Sequence, residues 1–389
     1  MSISNWKIAA KTVLPIALGL AGAFSSFAQD GRLPAGSINI DFPGDSPLVL
    51  LKSADESHAS ARGAALAIDL HLALTLRNIG PDGIRGLVLR VVSQEAALGG
   101  KGSVSLTSLN VPTGESFPVH IDMQLMRPSQ PAAGPLVEVT LDGVLFQSLA
   151  FYGPNRLGSQ RTLTAAEMEA SRDRQYFKSV LERGGPEALR REVLTSLARQ
   201  AARPQLDVRV SRGHSVTSAA LGPEHSEQFA FLEFPDSPVE PVDGRAQVAF
   251  NQARQPRIQV RNRSKEPVRY VEVRWLVKDA NGHEYVAAKL PVSVPEGIAP
   301  GQTVGDTEET SLEFRCNNQP VAIGGARGFV SQVQFSSGKV WVPARRDFEI
   351  LLDSGTLRDV LPPSAEEERL TNLYRRNGLD TLLRELKRY

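Results

Sequence analysis

Apolar and polar positions alternate with a period of two along Val271, Val273, Trp275 and Val277, with Glu272, Arg274, Leu276 and Lys278 between them. This spacing places the first set on one face of a β-strand. The run ends in Asp279-Ala280-Asn281-Gly282 and resumes at His283. An Asn-Gly pair between two such runs predicts a hairpin, because both residues adopt positive φ at low cost. The N-terminal half has the same texture: Leu72, Leu74 and Leu76 alternate, Gly80 to Gly83 turn the chain, and Leu87 to Val92 resume it. Short strands at close spacing predict antiparallel sandwiches rather than alternating strands and helices. After each β-rich stretch the period becomes helical, through Phe177, Val180 and Leu181 and then Leu189, Val193 and Leu197. Thr164 with Glu167, and Ser364 with Glu367, stand at capping-box spacing. Gly184, Gly185 and Pro186 divide the first helical tail, and Asn377 with Gly378 divide the second. The predicted class is mainly β with α: two tandem antiparallel β-sandwich domains over 29–159 and 204–350, followed by helical hairpins over 160–203 and 351–389.

The two halves also share wording. "IDFPGDSP" at Ile40 to Pro47 returns as "LEFPDSP" at Leu232 to Pro238. Arg77, Asn78, Arg85 and Arg90 match Arg261, Asn262, Arg269 and Arg274 at one constant offset. Further on, Phe146, Tyr152 and Pro154 match Phe335, Trp341 and Pro343, and "GPEALRREV" from Gly185 matches "GLDTLLREL" from Gly378. Four matches in the same order, at offsets that differ only by loop-sized insertions, predict a tandem duplication.

At "LALTLRN" (Leu72 to Asn78) and "PRIQVRN" (Pro256 to Asn262) the chain resembles the immunoglobulin-like modules of exported bacterial proteins. In these a strand ends in Asn, turns, and restarts one strand over. The antibody-type Cys, Trp, Cys framework is missing, which separates the chain from true immunoglobulin domains. The resemblance implies a binding, spacing or assembly role and carries no catalytic residues.

The N-terminus bears on location. Residues 1–28 hold Lys7 and Lys11, no acid, an apolar run from Val13 to Phe24, and small residues Ser26 and Ala28. That layout predicts a secretory signal peptide cleaved after Ala28. The run is shorter than the roughly 20 residues of a bilayer-spanning helix, so no transmembrane segment is expected after cleavage. The whole chain carries 44 Lys and Arg against 43 Asp and Glu. Removing the leader leaves the balance near zero, which argues against a nucleic-acid partner. Cys316 is the single cysteine, so no intramolecular disulfide forms and the thiol reads as a small buried apolar group.

Each candidate for chemistry has a plainer reading. Asp41 and Asp45, with Glu233 and Asp236, offer oxygen donors to calcium, but two carboxylates per site are too few; Phe42 and Phe234 as core anchors beside a rigid Pro-Asp-Ser-Pro turn is the preferred account. Ser336 and Lys339 fit the S-x-x-K spacing of some acyl enzymes, yet Gln147 and Ala150 stand at the matching positions of the first half. His214, Glu224, His225 and Glu227 lack zinc-ligand spacing and read as a polar connection. Asp279, Asn281 and Glu284 are too close together for a 12-residue calcium loop. No metal or other cofactor is therefore expected. Arg85, Arg90, Arg269 and Arg274, near strand ends, are candidates for presenting guanidinium forks to an acidic partner, with Tyr152 and Trp341 completing a candidate interaction surface. The basic tail over 160–203 carries an apolar stripe that must be covered, by the chain's own sandwiches or by another protein.

The sequence thus predicts an exported, non-enzymatic interaction or assembly protein of the bacterial envelope or extracellular space, whose partner is another protein there. A carbohydrate- or peptide-binding module is the alternative, as is a secreted hydrolase without GxSxG, HExxH, CxxC or P-loop.

Overall fold

The computed structural model describes residues 31–95, 98–129, 134–203, 205–212, 223–307 and 310–389. The expected signal peptide and His214 lie outside them. The first half contains β1 (Gly31–Arg32), β2 (Ile38–Asp41), β3 (Leu48–Asp55), β4 (His58–Arg62), β5 (Ala65–Asn78), β6 (Ile84–Val92), β7 (Lys101–Leu106), β8 (Ser116–Pro128), β9 (Val137–Phe146) and β10 (Phe151–Tyr152). They form two sheets, one ordered β1-β4-β5-β3 with β8 also on β5, the other β10-β9-β6-β7 with β2 parallel to β9. Leu72, Leu74 and Leu76 of β5 face Leu87, Leu89 and Val91 of β6 in one buried core, as their period of two requires. Val88, on the opposite face of β6, is buried as well, because Leu163 of the following helix seats on it beside Leu145.

The second half contains β11 (Asp207–Arg212), β12 (His225–Phe231), β13 (Val239–Ala249), β14 (Gln252–Asn262), β15 (Val268–Asp279), β16 (Glu284–Ile298), β17 (Thr303–Thr307), β18 (Thr310–Cys316), β19 (Gln319–Pro320), β20 (Ile323–Phe335) and β21 (Val340–Trp341). Here the expectation of two separate sheets is corrected. His225 to Gln228 of β12 pair antiparallel with β13, and Phe229 to Phe231 of the same strand pair parallel with β20. One strand therefore joins both layers into a continuous, nearly closed barrel-like sheet. Trp275 fills its centre, stacked on Phe229 at 5.0 Å between ring centroids and edge-on to Phe314 at 5.7 Å. The Asp279 hairpin forms as expected: Asp279 N donates to His283 O at 2.9 Å, and Gly282 takes φ 88°. Leu276, at a position the alternation makes polar, is buried with Phe234 and Phe329 beneath a 3-10 helix (Arg345–Glu349) and α2 (Leu357–Val360).

The first tail is α1 (Ser159–Ala202), and the second is α3 (Ala365–Asn377) and α4 (Leu379–Leu386). Each breaks at a glycine of nearly identical conformation, Gly185 (φ 71°, ψ −173°) and Gly378 (φ 78°, ψ −178°). That region of backbone space is essentially open to glycine alone, and Pro186 then opens the second arm of α1. Ser364 caps α3 as expected, its Oγ accepting from Glu367 N at 3.0 Å. The Thr164 cap is a correction: α1 starts earlier, at Ser159, where Gln160 N donates to Asn155 Oδ1 and the amides of Arg156 and Leu157 donate to the Asp142 carboxylate. Asn155 serves a free amide of that terminus, Asp142 holds the turn just before it, and Thr164 lies inside the helix, buried.

The asparagines matched in the sequence close the same loop in each half. Asn78 Nδ2 donates to Asp82 O and Val111 O, and Gly80 N donates to its Oδ1. Asn262 Nδ2 donates to Glu266 O and Ile298 O, and Ser264 N donates to its Oδ1. Both side chains are fully buried, so their loss strands buried backbone groups. Asn78→Ala and Asn262→Ala should each cost about 1–3 kcal/mol in urea unfolding; a cost indistinguishable from that of an exposed polar substitution contradicts the clamp.

Candidate functional site at the helical junction

The two tails meet each other. Phe177, Leu189 and Val193 of α1 pack with Leu370, Leu382 and Leu386 of α3 and α4 in one core, all at most 1 % exposed. These six side chains are three pairs at a single sequence offset, so the stripe written in the first tail is matched by the stripe in the second. Only the start of α1 docks on the expected sheet; its distal half uses the other tail as cover.

Ion pairs surround this core. Asp173, 1 % exposed, accepts from Arg172 at 3.1 and 3.2 Å and from Arg345 Nη1 at 2.7 Å. Glu367 accepts from Ser196 Oγ at 2.6 Å and Arg199 Nη2 at 3.0 Å. Glu366 accepts from Arg369 at 2.8 Å and faces Arg174 at 3.6 Å. Arg358 donates to Glu192 at 2.7 Å. Burial pushes the Asp173 carboxyl up, but the guanidinium groups of Arg172 and Arg345 overcome it and hold the group below the usual aspartate value. At Glu167 burial wins over Arg174 and Arg85, and its carboxyl is raised. Arg199 is lowered by burial and by the like charge of Arg358, which outweigh Glu367.

Where the end of α1 meets the 3-10 helix and the segment before α3, Arg172, Arg199, Arg203, Arg345 and Arg358 wall a small cavity of about 30 Å³ with one carboxylate, Glu367. Asp173 and Glu192 hold these arginines from outside the wall. Stacking fixes three of the guanidinium planes: Arg345 lies 3.8 Å and Arg358 5.3 Å from the Tyr176 ring centroid, and Arg172 lies 4.8 Å from that of Phe348. Nε and Nη2 of Arg345, and Nε of Arg203 and Arg358, are buried with no hydrogen-bond partner among the described residues.

No family model and no curated protein matches the chain. Among solved structures, red sea bream transglutaminase aligns at 9 % identity and TM-score 0.11, covering 73 % of this chain and 31 % of that one. The chain thus spans less than a third of that protein's length, and a likeness of this size carries no argument.

The candidate interaction and ligand residues of the sequence do not gather at this junction, apart from Arg85, which is buried, donates to Asn110 Oδ1 at 3.0 Å and lies 4.6 Å from the Tyr389 ring centroid. Arg90 pairs with Glu95, Arg274 faces Glu272 at 3.9 Å, and Arg269 is exposed. Tyr152 and Trp341 are half-buried against the sheet cores. The Tyr152 hydroxyl, raised to about 12 by burial and by Asp45, donates to Asp45 Oδ1 at 2.7 Å. Asp236 pairs with Arg346, His225 with Glu227 and Glu224 with Arg254. Glu284 is wholly buried near Arg327, while Asp279 bonds its own turn. Ser336 and Lys339 belong to a tight turn closed by Phe335 N donating to Lys339 O at 2.9 Å. Among the described residues no group of three potential ligands could hold a metal, and no helix is long and apolar enough to cross a membrane. Cys316 is partly buried against the core of the second half.

Sequence reasoning missed the junction arginines because they are scattered from Arg172 to Arg369. A usable signal was there: Asp173 and Arg174 align with Glu366 and Glu367 at the offset of the Gly185 and Gly378 match, and charges facing an apolar stripe on both tails imply that the tails pair.

Proposed function

We propose that this chain is an exported, non-enzymatic interaction or assembly protein of the bacterial envelope or extracellular space, built by duplication of an immunoglobulin-like sandwich with a helical tail. The observation that carries the reading is the shared core of the two tails: it braces two β-rich units against each other and leaves their outer strands as surfaces for a partner. Support for the duplication comes from Gly185 and Gly378 in one backbone conformation, the two asparagine clamps, and the parallel pairs β2–β9 and β12–β20. Among the described residues, edge strand β3 pairs with β5 alone and exposes Val49 and Leu51, a place where an extended segment of another protein can add. The unpartnered groups at the junction cavity are guanidinium donors, which stay protonated and accept no proton from a substrate. Such a wall suits binding better than acid–base chemistry. Tyr152 and Trp341, half-buried, do not offer the flat aromatic platform of a carbohydrate site.

The test is crosslinking in the source cells with a tagged chain, followed by mass spectrometry of co-purified proteins and sequencing of the processed N-terminus. A near-stoichiometric partner and an N-terminus at Gln29 are expected. A chain recovered alone, while control partners crosslink, overturns the assembly reading; an unprocessed N-terminus in the cytosol overturns export.

A further inference from the structure

We propose that the arginine-walled cavity at the helical junction binds one oxyanion group, a carboxylate or a phosphate of a small ligand. The inference rests on the cavity alone and does not depend on the assembly reading. Among the described residues, five guanidinium groups and a single carboxylate form the wall. Glu367 Oε1 accepts from Ser196 and Arg199, and its Oε2 faces Nη1 of Arg345 at 3.6 Å, beyond hydrogen-bond reach, so the carboxylate bonds none of the remaining donors. Those donors are specific atoms: Nε and Nη2 of Arg345, and Nε of Arg203 and Arg358, buried and without a partner among the described residues. A buried donor left unmatched is costly, more so when charged. An oxyanion supplies several acceptor lone pairs within one small group, in the geometry that guanidinium forks match.

The other features agree. At about 30 Å³ the cavity exceeds the roughly 10–15 Å³ that one water needs, and it is too small for a nucleotide or a sugar ring. Stacking of Arg345 on Tyr176 and of Arg172 on Phe348 holds two wall guanidiniums in place before any ligand arrives, which lowers the ordering cost of binding. Arg199 is destabilised in its charged form by burial and by its neighbours Arg358 and Arg345, and an anion among them relieves that repulsion.

The experiment is isothermal titration of the full chain with inorganic phosphate and, separately, with acetate, each against sodium chloride at equal ionic strength. Saturable one-to-one binding of either anion is expected. Phosphate alone assigns a phosphate-bearing ligand, acetate alone a carboxylate, and both arms support the site. Arg203→Gln should weaken binding about tenfold, the loss of one charge-assisted bond, and Arg199→Gln should weaken it through the loss of one wall charge, with folding verified by circular dichroism. Arg269→Gln, exposed and remote in the sequence from the wall, should leave it unchanged. Two results overturn the proposal: no saturable heat with either anion, or dissociation constants in folded Arg199→Gln and Arg203→Gln equal to that of the unaltered chain.

Discussion

Replacing Asp173 with alanine is expected to lower the unfolding free energy by about 3–5 kcal/mol, as the removal of one partner from a buried ion pair does. Asp173 is 1 % exposed and receives three charge-assisted hydrogen bonds, two from Arg172 and one from Arg345. Its loss leaves two guanidinium groups facing each other in a desolvated site, where repulsion is poorly screened. Asp173→Asn keeps the shape and removes the charge, so it isolates the electrostatic part. The pH dependence fixes the sign. The folded carboxyl is held below its ordinary value of 3.8, so as pH falls the unfolded chain takes up the proton first. The stabilisation is present above that ordinary value and is lost as pH falls through the lower, folded one. Urea titrations between about pH 5 and pH 2 should show a shallower acid decline in Asp173→Asn than in the unaltered chain. A cost near that of an exposed ion pair, under about 1 kcal/mol, contradicts the buried-network account.

The legible parts of this molecule were those in which one local pattern meets one environment. The alternation over Leu72 to Leu76 and over Val271 to Val277 placed the inward faces correctly, and Gly185 and Gly378 marked breaks that only glycine accommodates. The pattern failed where a third layer covers a sheet. Val88 and Leu276 are buried on faces that a two-layer sandwich leaves to solvent, because Leu163 and the segment containing Leu357 lie over them. It failed again at β12, where a single strand serves both layers and periodicity says nothing about its second partner. The candidate site was less legible than the fold. Arg345 and Asp173 are far apart in sequence and belong to different periodic segments, and neither carries a motif. Arg85, chosen as a surface arginine from its place beside a turn, is buried because Glu167 and Tyr389 arrive from the helical tails. A strand pattern cannot foresee partners contributed by helices from both halves.

The same shared core yields the second large expectation. Leu189→Ala and Leu382→Ala should each cost about 2–5 kcal/mol, since each truncates a fully buried leucine in the shared core. The informative quantity is their sum. Both side chains line one core, so the second truncation enlarges an existing cavity rather than opening a new one, and the double variant should fall short of additivity by about 0.5–3 kcal/mol. Leu74, in the core of the first half, provides the contrast: Leu74→Ala combined with Leu382→Ala should add within about 0.5 kcal/mol, as independent sites do. Additivity in the Leu189 and Leu382 pair would mean that each tail is held by its own half, and the brace between the units would lose its physical basis. A large coupling makes the junction one structural element contributed from both ends of the chain, and it ties the geometry of the arginine wall to both tails, because Arg199 and Glu367 meet across that core.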